Sequence, residues 1–586
     1  MLKFIRQVLA TIVGIFLFTV FSFFSLLAVI AALVPDREAR LEERPVLRIV
    51  LNKNITERET DDIFGQFTSP FTSRESGSLG LIELRKSIKE AARNNHIKGI
   101  LLDIRNFDAG MAQIEELRNE IKTFKESGKF VYAWSDNYSE AGYFLASVAD
   151  KIFLPPIGDL EFNGLSSEVV FFKGTLDMLN VQPEIFRVGD YKSAIETFTQ
   201  KQMSEENREQ MEVLLNSVYD DYLQKISDAR GVEVSQLRNI ADSILVQTAE
   251  DAQEYELVTH VAYFDSLESI IREETGIEKD KKVEYARYDD LYDLFEREND
   301  GNRKVAVIVA EGSIEHGSGR RNIIGSHTFS EEIRKARLDD DVKAIVLRIN
   351  SPGGSALASD LMWREVELTG RVKPVIASMS DVAASGGYYM AAACDTIVAQ
   401  PNTITGSIGV FGLLVNLEEF LNNKLGITTD RVKTNPMADI GSATRPMTER
   451  ERGIIQKSVN KIYEDFLEVV AKGRDLDKEY VHSIAQGRVW SGIEAKENKL
   501  SDVNGGLEDA IKIAAEKAGI EDDYSVVYLP ELPDAFLRQI LRAFDGSDGD
   551  AYDEHLGKFA PYVKSIIELQ KMEGVQARMP YDIKIK

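Results

Sequence analysis

The residues of this 586-residue chain whose types and spacing suit chemistry are a few serines, glycines and one lysine. An apolar run ending at Asn350 is followed by Ser351-Pro352-Gly353-Gly354-Ser355, where a helical pattern opens. Two glycines at a strand-to-helix turn let the backbone approach a ligand closely and leave N–H groups pointing outward. The next apolar run ends in Ser380-Asp381-Val382-Ala383-Ala384-Ser385-Gly386-Gly387-Tyr388, which puts Ser385 at the start of a helix. The positive end of a helix behind a serine stabilises a developing alkoxide. The N–H groups of Gly386 and of Gly353 or Gly354 would then receive a tetrahedral oxyanion. That chemistry is acyl transfer to a serine. Taken alone, each turn reads more simply as an ordinary Gly/Ser-rich helix cap.

A serine nucleophile needs a base. The six histidines are scattered, none forms HExxH, and none stands in a suitable motif, so a histidine triad is the weaker choice. A lysine serves only when neutral, so its reference pKa of ~10.4 must fall to ~7–8 by burial. The single cysteine, Cys394, excludes an internal disulfide framework and a cysteine-based zinc or iron–sulfur cluster. No metal site is indicated, although carboxylate-only sites stay open. Ser458-Val459-Asn460-Lys461 fits SxxK and Ser135-Asp136-Asn137 fits SDN. Their order is reversed, KTG is missing and the SxxK falls inside an amphipathic helix, so the match reads as chance.

The elements that must position these residues come from an internal repeat. Ile97–Asn106 matches Val342–Ser351 with Ile100 falling on Ile345, an offset of 245. At the same offset Asp136 falls on Asp381, Gly142 on Gly387, Tyr143 on Tyr388 and Asp150 on Asp395. Val188–Glu209 matches Val432–Gly453 at an offset of 244. The position of Ser385 in the first copy is Glu140, and Asp108-Ala109 stands for Gly353-Gly354. Conversely, Tyr191-Lys192-Ser193-Ala194 is matched by Asn435-Pro436-Met437-Ala438, which has no lysine. Serine and lysine therefore sit in different copies. Absence from the partner copy does not by itself make Lys192 catalytic; Lys433 and His482 are the next bases to consider.

Short apolar runs without polar alternation (KAIVLRIN, PVIASMS, DTIVAQ) suit buried parallel strands. Helical patterns lie between them, and one helix opens on a capping box, Thr448 to Glu451. Its expected core face holds Ile454, Ile455, Val459, Ile462, Phe466 and Val469–Val470. Each copy is therefore α/β, with a mostly parallel sheet flanked by helices. The chain divides into 1–45, a cytoplasmic stub and anchor; 46–300, the first repeat; 301–525, the second; and 526–586, a C-terminal tail, helical around Ala535–Phe544. Asn299-Asp300-Gly301-Asn302 is the joint between the repeats.

Location follows from the N-terminus and the charge. Lys3 and Arg6 precede an uncharged stretch from Val8 to Val34, and Asp36, Glu38, Glu42 and Glu43 follow it. Those 27 residues are long enough for one tilted transmembrane helix with its N-terminus in the cytoplasm. In a bacterium the body then faces the periplasm or the cell exterior. With 96 acidic and 70 basic residues the net charge is −26, which repels nucleic acid and anionic headgroups. Hydrophobic residues at 44% and charged ones at 28% describe an ordinary globular chain.

With GDYKSAIETF around Lys192, INSPGGS at Ile349–Ser355, SDVAASGGYYMA around Ser385 and NTITGSIGVFG at Asn402–Gly412, the chain resembles the signal peptide peptidases of the long, duplicated type, peptidase family S49. The resemblance extends from the anchor to the terminal MEGVQARMPYDIKI. It implies that Ser385 is the nucleophile and Lys192 the general base, with Ser407 helping to hold the amine. It also implies a tandem of ClpP/crotonase-like domains, no cofactor, a bowl-shaped homotetramer in the bacterial inner membrane, and cleaved signal peptides or other unfolded apolar peptides as substrates. The readings set against it are a crotonase-type acyl-CoA enzyme and a catalytically inactive membrane scaffold. An acyl-CoA ligand suits neither the −26 charge nor an extracytoplasmic body. The scaffold would require the Lys192 amine and Ser385 hydroxyl to lie too far apart to hydrogen-bond.

Overall fold

Aliphatic runs lacking polar alternation are stable in a sheet only when both faces are covered, and the chain builds two such sheets. The computed structural model describes residues 44–59, 77–298, 301–320, 322–530 and 575–579, with Gly14, Phe18, Phe21 and Leu41 singly. In the first sheet the spatial order is His260–Val261, Lys151–Leu154, Phe130–Trp134, Gly99–Ile104, Val46–Leu51, Tyr285–Ala286, parallel throughout. In the second it is Val489–Ser491, Ile404–Gly406, Val375–Ala384, Val342–Ser351, Lys304–Glu311, Ser525–Leu529. Only the pairing of Ile404–Gly406 with Val489–Ser491 is antiparallel there. Thr396–Ala399 and Val503–Asn504 extend it beside Val375–Ala384.

The two sheets are copies. Tyr143 donates to Leu257 O and Tyr388 to Leu500 O, each at 2.9 Å. Asp150 accepts from Val131 N and Asp395 from Val375 N, each at 2.8 Å. The second pair corrects the alignment: Val131 to Val375 is 244 residues, whereas Asp150 to Asp395 is 245. One residue is thus added to the strand that leads to Ser385, where its register with Val342–Ser351 also shifts.

A third sheet crosses between the copies, in the order Ile323–Gly325, Ser313–Glu315, Gly353–Ser355, Val575–Arg578, Val410–Asn416, Gln182–Val188. Gln182–Val188 of the first copy pairs antiparallel with Val410–Asn416 of the second, from Val410↔Val188 to Asn416↔Gln182. The stretch 526–586, expected as a helical tail, contributes two strands: most of Ser525–Leu529 and Val575–Arg578. The expected helix at Ala535–Phe544 lies outside the described residues, as does Asn299-Asp300 of the joint. So does the expected span Val8–Val34, apart from Gly14, Phe18 and Phe21. Among the described residues no helix is long and apolar enough to cross a membrane.

Charged helices seal the copies together. In Leu81–Arg93 and Met111–Glu126 even Glu83, Arg85, Glu115 and Arg118 are buried, because both faces of these helices are covered. At the centre Arg348 donates to Glu57 at 2.7 Å, Glu116 at 2.6 Å, and Ser378 and Ser380 at 3.0 Å. Burial raises the Glu57 carboxyl, but Arg348 beside it and hydrogen bonds from Ser380 and Gln113 together outweigh that and leave it below its ordinary value. Asp381, on the strand leading to Ser385, accepts from Gln113 N at 3.0 Å, at the start of the helix Met111–Glu126. A buried charge is tolerated only when paired and hydrogen-bonded, so these contacts fix the register of one copy on the other. The helix Glu449–Arg474 begins at the expected capping box, with Thr448 N donating to Glu451 Oε2 at 2.8 Å. Of its expected core face Ile454 is exposed, Val459, Phe466 and Val470 are buried, and Ile455, Ile462 and Val469 pack half-buried against the core; Tyr463 and Leu467 are buried as well.

Candidate active site

Two adjacent parallel strands deliver two serines side by side. Val382, Ala383 and Ala384 pair with Ile404, Thr405 and Gly406, so Ser385 and Ser407 leave their strands together. Ser385 N donates to Gly406 O at 2.8 Å, and Ser407 N to Arg488 O at 2.7 Å. Ser385 precedes the helix Gly386–Ala391 with φ 55° and ψ −113°, and Ser407 also has a positive φ, 49°. A non-glycine residue in that region is strained, and it persists because the surrounding hydrogen bonds over-determine the turn.

The lysine arrives from the other copy along the crossing sheet. Val188 pairs with Val410, so the residues just beyond Val188 fold back over those just before Val410. Lys192 Nζ consequently lies 3.0 Å from Ser385 Oγ, 3.0 Å from Ser407 Oγ and 3.0 Å from Ser407 O. Lys192, Ser385 and Ser407 are all fully buried. Lys192 has no ion-pair partner among the described residues. Burial alone pushes its amine well below the ordinary lysine value.

Residues that sequence reasoning missed complete the enclosure. Gln486 O accepts from Tyr191 N at 3.0 Å, and Gly487 N donates to Ile408 O at 2.9 Å, so this turn ties the lysine loop to the Ser407 loop. Gly487 has φ +84°, and a Cβ on it would sit 2.6 Å from Lys192 Cβ. Only glycine fits there. The Arg488 guanidinium lies over the Tyr191 and Trp490 rings, 4.8 and 4.5 Å from their centroids, and fixes the outer side of the turn. The only signal in the sequence is the Gln486-Gly487 turn itself, and nothing local shows what it approaches.

The glycine turn lies beside Ser385. The point where a Gly353 Cβ would sit is 2.7 Å from Gly386 N, so the two turns are in direct apposition. Gly353 and Gly354 have φ +95° and +159°. Gly353 N donates to Ser351 Oγ at 3.2 Å, whereas Gly386 N, at the first turn of its helix, has no intrahelical acceptor. The structure thus brings Ser385, Lys192, Ser407, Gly353 and Gly386 together, with Gly354 next in the turn. It leaves the other base candidates elsewhere: Lys433 pairs with Asp439 at 2.9 Å, and His482 is bound to Tyr463 OH at 2.9 Å.

In the first copy the corresponding place is filled. Glu140 accepts from Asn163 N at 2.7 Å and Gly164 N at 2.8 Å, and Tyr222 OH binds its other oxygen. Burial raises the Glu140 carboxyl. Its oxygens are thus engaged where the second copy has the serine hydroxyl. Among the described residues there is no cluster of three or more His, Cys, Asp or Glu suited to a metal ion.

A serine held by a buried lysine beside opposed glycine turns defines a hydrolase of the serine class, and comparison with known proteins gives the family. The model of peptidase family S49 matches twice, at residues 123–278 and 367–521, once in each copy. The chain is 36% identical over 526 residues to the chloroplastic serine protease SPPA of Arabidopsis thaliana, covering 88% of this chain and 76% of that one. It is 38% identical over 453 residues to Protease 4 of Haemophilus influenzae, covering 75% of this chain and 73% of that one. Among solved structures, a ClpP1 mutant from Listeria monocytogenes matches 35% of this chain and 94% of its own at 16% identity. Its TM-score of 0.24 is too low for that likeness to bear on the fold. The chain belongs to peptidase family S49, in its long duplicated form, and is a serine protease. That sets aside the acyl-CoA reading, and Lys192 Nζ 3.0 Å from Ser385 Oγ removes the reason for an inactive scaffold.

Proposed function

We propose that Ser385 is the nucleophile of this protease and Lys192 its general base, and that the observation carrying this is the fully buried amine 3.0 Å from the serine hydroxyl. A neutral amine has two N–H donors and one lone pair. Ser407 O and Ser407 Oγ accept the two donors, which leaves the lone pair facing Ser385 Oγ. As Oγ adds to the scissile carbonyl carbon, its proton passes to Nζ. The oxyanion is received by backbone N–H groups. Gly386 supplies one, and Gly353 or Gly354 the other. The C–N bond then breaks, the leaving amine takes the proton from Nζ, and water attacks the acyl-serine with Lys192 again as base.

The substrates proposed are cleaved signal peptides and other unfolded apolar peptides. The support is the motif resemblance together with an anchor expected at Val8–Val34, which would hold the body on the periplasmic side of a bacterial inner membrane. A homotetramer of ClpP/crotonase-like repeats belongs to the same proposal, and no cofactor enters it. So does the division into 46–300 and 301–525, with Ser525–Leu529 assigned to the second repeat because it pairs with Lys304–Glu311.

The pH dependence tests the base. Only the deprotonated amine accepts the hydroxyl proton, so kcat/KM for a short peptide ester should rise with pH along a limb centred well below 10.5. Stability runs the same way. An unfolded lysine binds a proton that the folded one refuses, so stability also rises with pH until the ordinary lysine pKa is reached. A limb centred at or above the ordinary lysine value, or none, would remove Lys192 from this role.

A further inference from the structure

One buried amide joins the lysine loop to the edge that holds the serines. Gln210 lies in the second turn of the helix Glu205–Arg230 of the first copy and is 2% exposed. Its Nε2 donates to Ser193 Oγ at 3.0 Å and to Tyr191 O at 3.3 Å, the residues on either side of Lys192. Its Oε1 accepts from Val489 N of the second copy at 3.3 Å. Val489 pairs with Gly406, whose carbonyl accepts from Ser385 N, and the preceding Arg488 O accepts from Ser407 N. A single side chain thus touches both flanks of the lysine and the strand edge that places both serines.

The orientation of that amide is dictated from behind. Glu196 accepts from Ser204 N at 3.2 Å, from Ser204 Oγ at 2.6 Å and from Asn207 Nδ2 at 2.9 Å. Asn207 therefore presents its Oδ1, which accepts from Gln210 Nε2 at 3.2 Å. With Nε2 fixed on that side, Oε1 faces Val489 N. Met211, Leu214 and Val218 of the same helix are buried, so an apolar side chain at 210 would serve packing. A buried amide costs free energy unless its donors and acceptor are used. Here they are used on the two segments that meet at Ser385.

We propose that Gln210 is a positioning residue for the base: its amide clamps the Lys192 loop of one copy onto the Arg488–Val489 edge of the other, and so keeps the amine against Ser385 and Ser407 and out of water. This rests on the dyad reading above, since a clamp on Lys192 matters to turnover only if Lys192 takes the proton. The backbone ties the loop at Tyr191 N, which donates to Gln486 O at 3.0 Å. Gln210 takes the opposite side, the Tyr191 carbonyl and the Ser193 hydroxyl. Burial alone holds the amine below the ordinary lysine value. Among the described residues no charged group shares that work: Asp190 is exposed, Arg488 pairs with Glu209 at 3.2 Å, and Glu196 is bound to Ser204 and Asn207. Loosening the loop therefore admits water to Nζ and returns its proton affinity towards the ordinary value.

The test compares wild type, Gln210→Met and Ser193→Ala in kcat and KM for a short peptide ester from about pH 6 to about pH 10, with thermal melts of each. Methionine keeps the length of glutamine and removes its hydrogen bonds, whereas alanine at 193 removes one acceptor and leaves Gln210 in place. The rising limb of Gln210→Met should move up by about one pH unit, a loss of roughly 10-fold below both limbs and far less above them. The loss should fall on kcat, with KM within about 2-fold of the wild type, because it is proton transfer that suffers. Ser193→Ala should shift the same way by less. A Gln210 that only stabilises the fold would lower the rate by one factor at every pH and leave the limb in place. That result, or an unchanged profile, overturns the proposal. Where Gln210→Met does not melt cooperatively, the Ser193→Ala profile decides by the same criterion. A wild type without a limb would overturn the dyad reading itself.

Discussion

Replacing Lys192 by arginine is expected to silence the protease as completely as replacing it by alanine, a loss of at least ~10²-fold in kcat/KM. Arginine keeps the charge and much of the reach, so a lysine acting as a cationic clamp would tolerate it. A lysine acting as a base would not, because guanidinium stays protonated at any workable pH. The geometry adds a steric reason. Lys192 is fully buried and its amine lies 3.0 Å from each of Ser385 Oγ, Ser407 Oγ and Ser407 O, a fit that a larger planar fork disturbs. Lys192→Met should be equally inactive yet melt no lower than the wild type at neutral pH. The native lysine is kept neutral against its own preference by burial, and methionine removes that cost. Steady-state rates and thermal melts of the three variants check both statements. Substantial activity in Lys192→Arg would show that the charge, not the lone pair, is what the site needs.

Ser385→Ala should cost more, on the order of 10⁶-fold in kcat, which leaves only what the oxyanion donors and substrate binding provide. The fold should survive. The backbone of residue 385 is held by Gly406 O and by Tyr389 N, and neither contact involves the hydroxyl. Alanine also meets the same φ of 55° that serine already tolerates. A melting temperature near that of the wild type with turnover at background is therefore the expected pair of results. Residual turnover well above background would place the nucleophile on another serine.

The parts of this site that were legible in the sequence are those that local physics writes. KAIVLRIN and PVIASMS read as buried strands because they have no polar face, and both are parallel strands of the second sheet. Ser385 was legible because a serine between an apolar run and Gly386-Gly387 can only begin a helix. The division of serine and lysine between copies was legible because the repeat supplies its own control: Glu140 stands where a nucleophile would be, and its carboxylate is engaged by Asn163, Gly164 and Tyr222.

What was not legible depends on long-range approach. Nothing around Gly487 indicates that Lys192 will lie against it, since the two are brought together by the crossing sheet. Val575–Arg578 has polar residues and only four positions, so no period identifies it. Its strand character comes from edges at Gly353–Ser355 and Phe411-Gly412, more than 150 residues earlier. Nothing local marks Arg85 and Glu116 as core residues, yet they are buried because the two copies close on them and on Arg348. The exposed Ile454 shows the reverse error, an apolar residue in the run of a core face that is nevertheless open to solvent.

The central claim is that a neutral Lys192 activates Ser385. The rate at which a fluorophosphonate modifies the protein, with the modified residue mapped by mass spectrometry, tests it most directly in wild type and Lys192→Ala. The account predicts modification at Ser385, at a rate that rises with pH along a limb well below 10.5 and falls at least ~10²-fold in Lys192→Ala. Modification of a different serine, or of Ser385 at the same rate with and without the lysine, would contradict it.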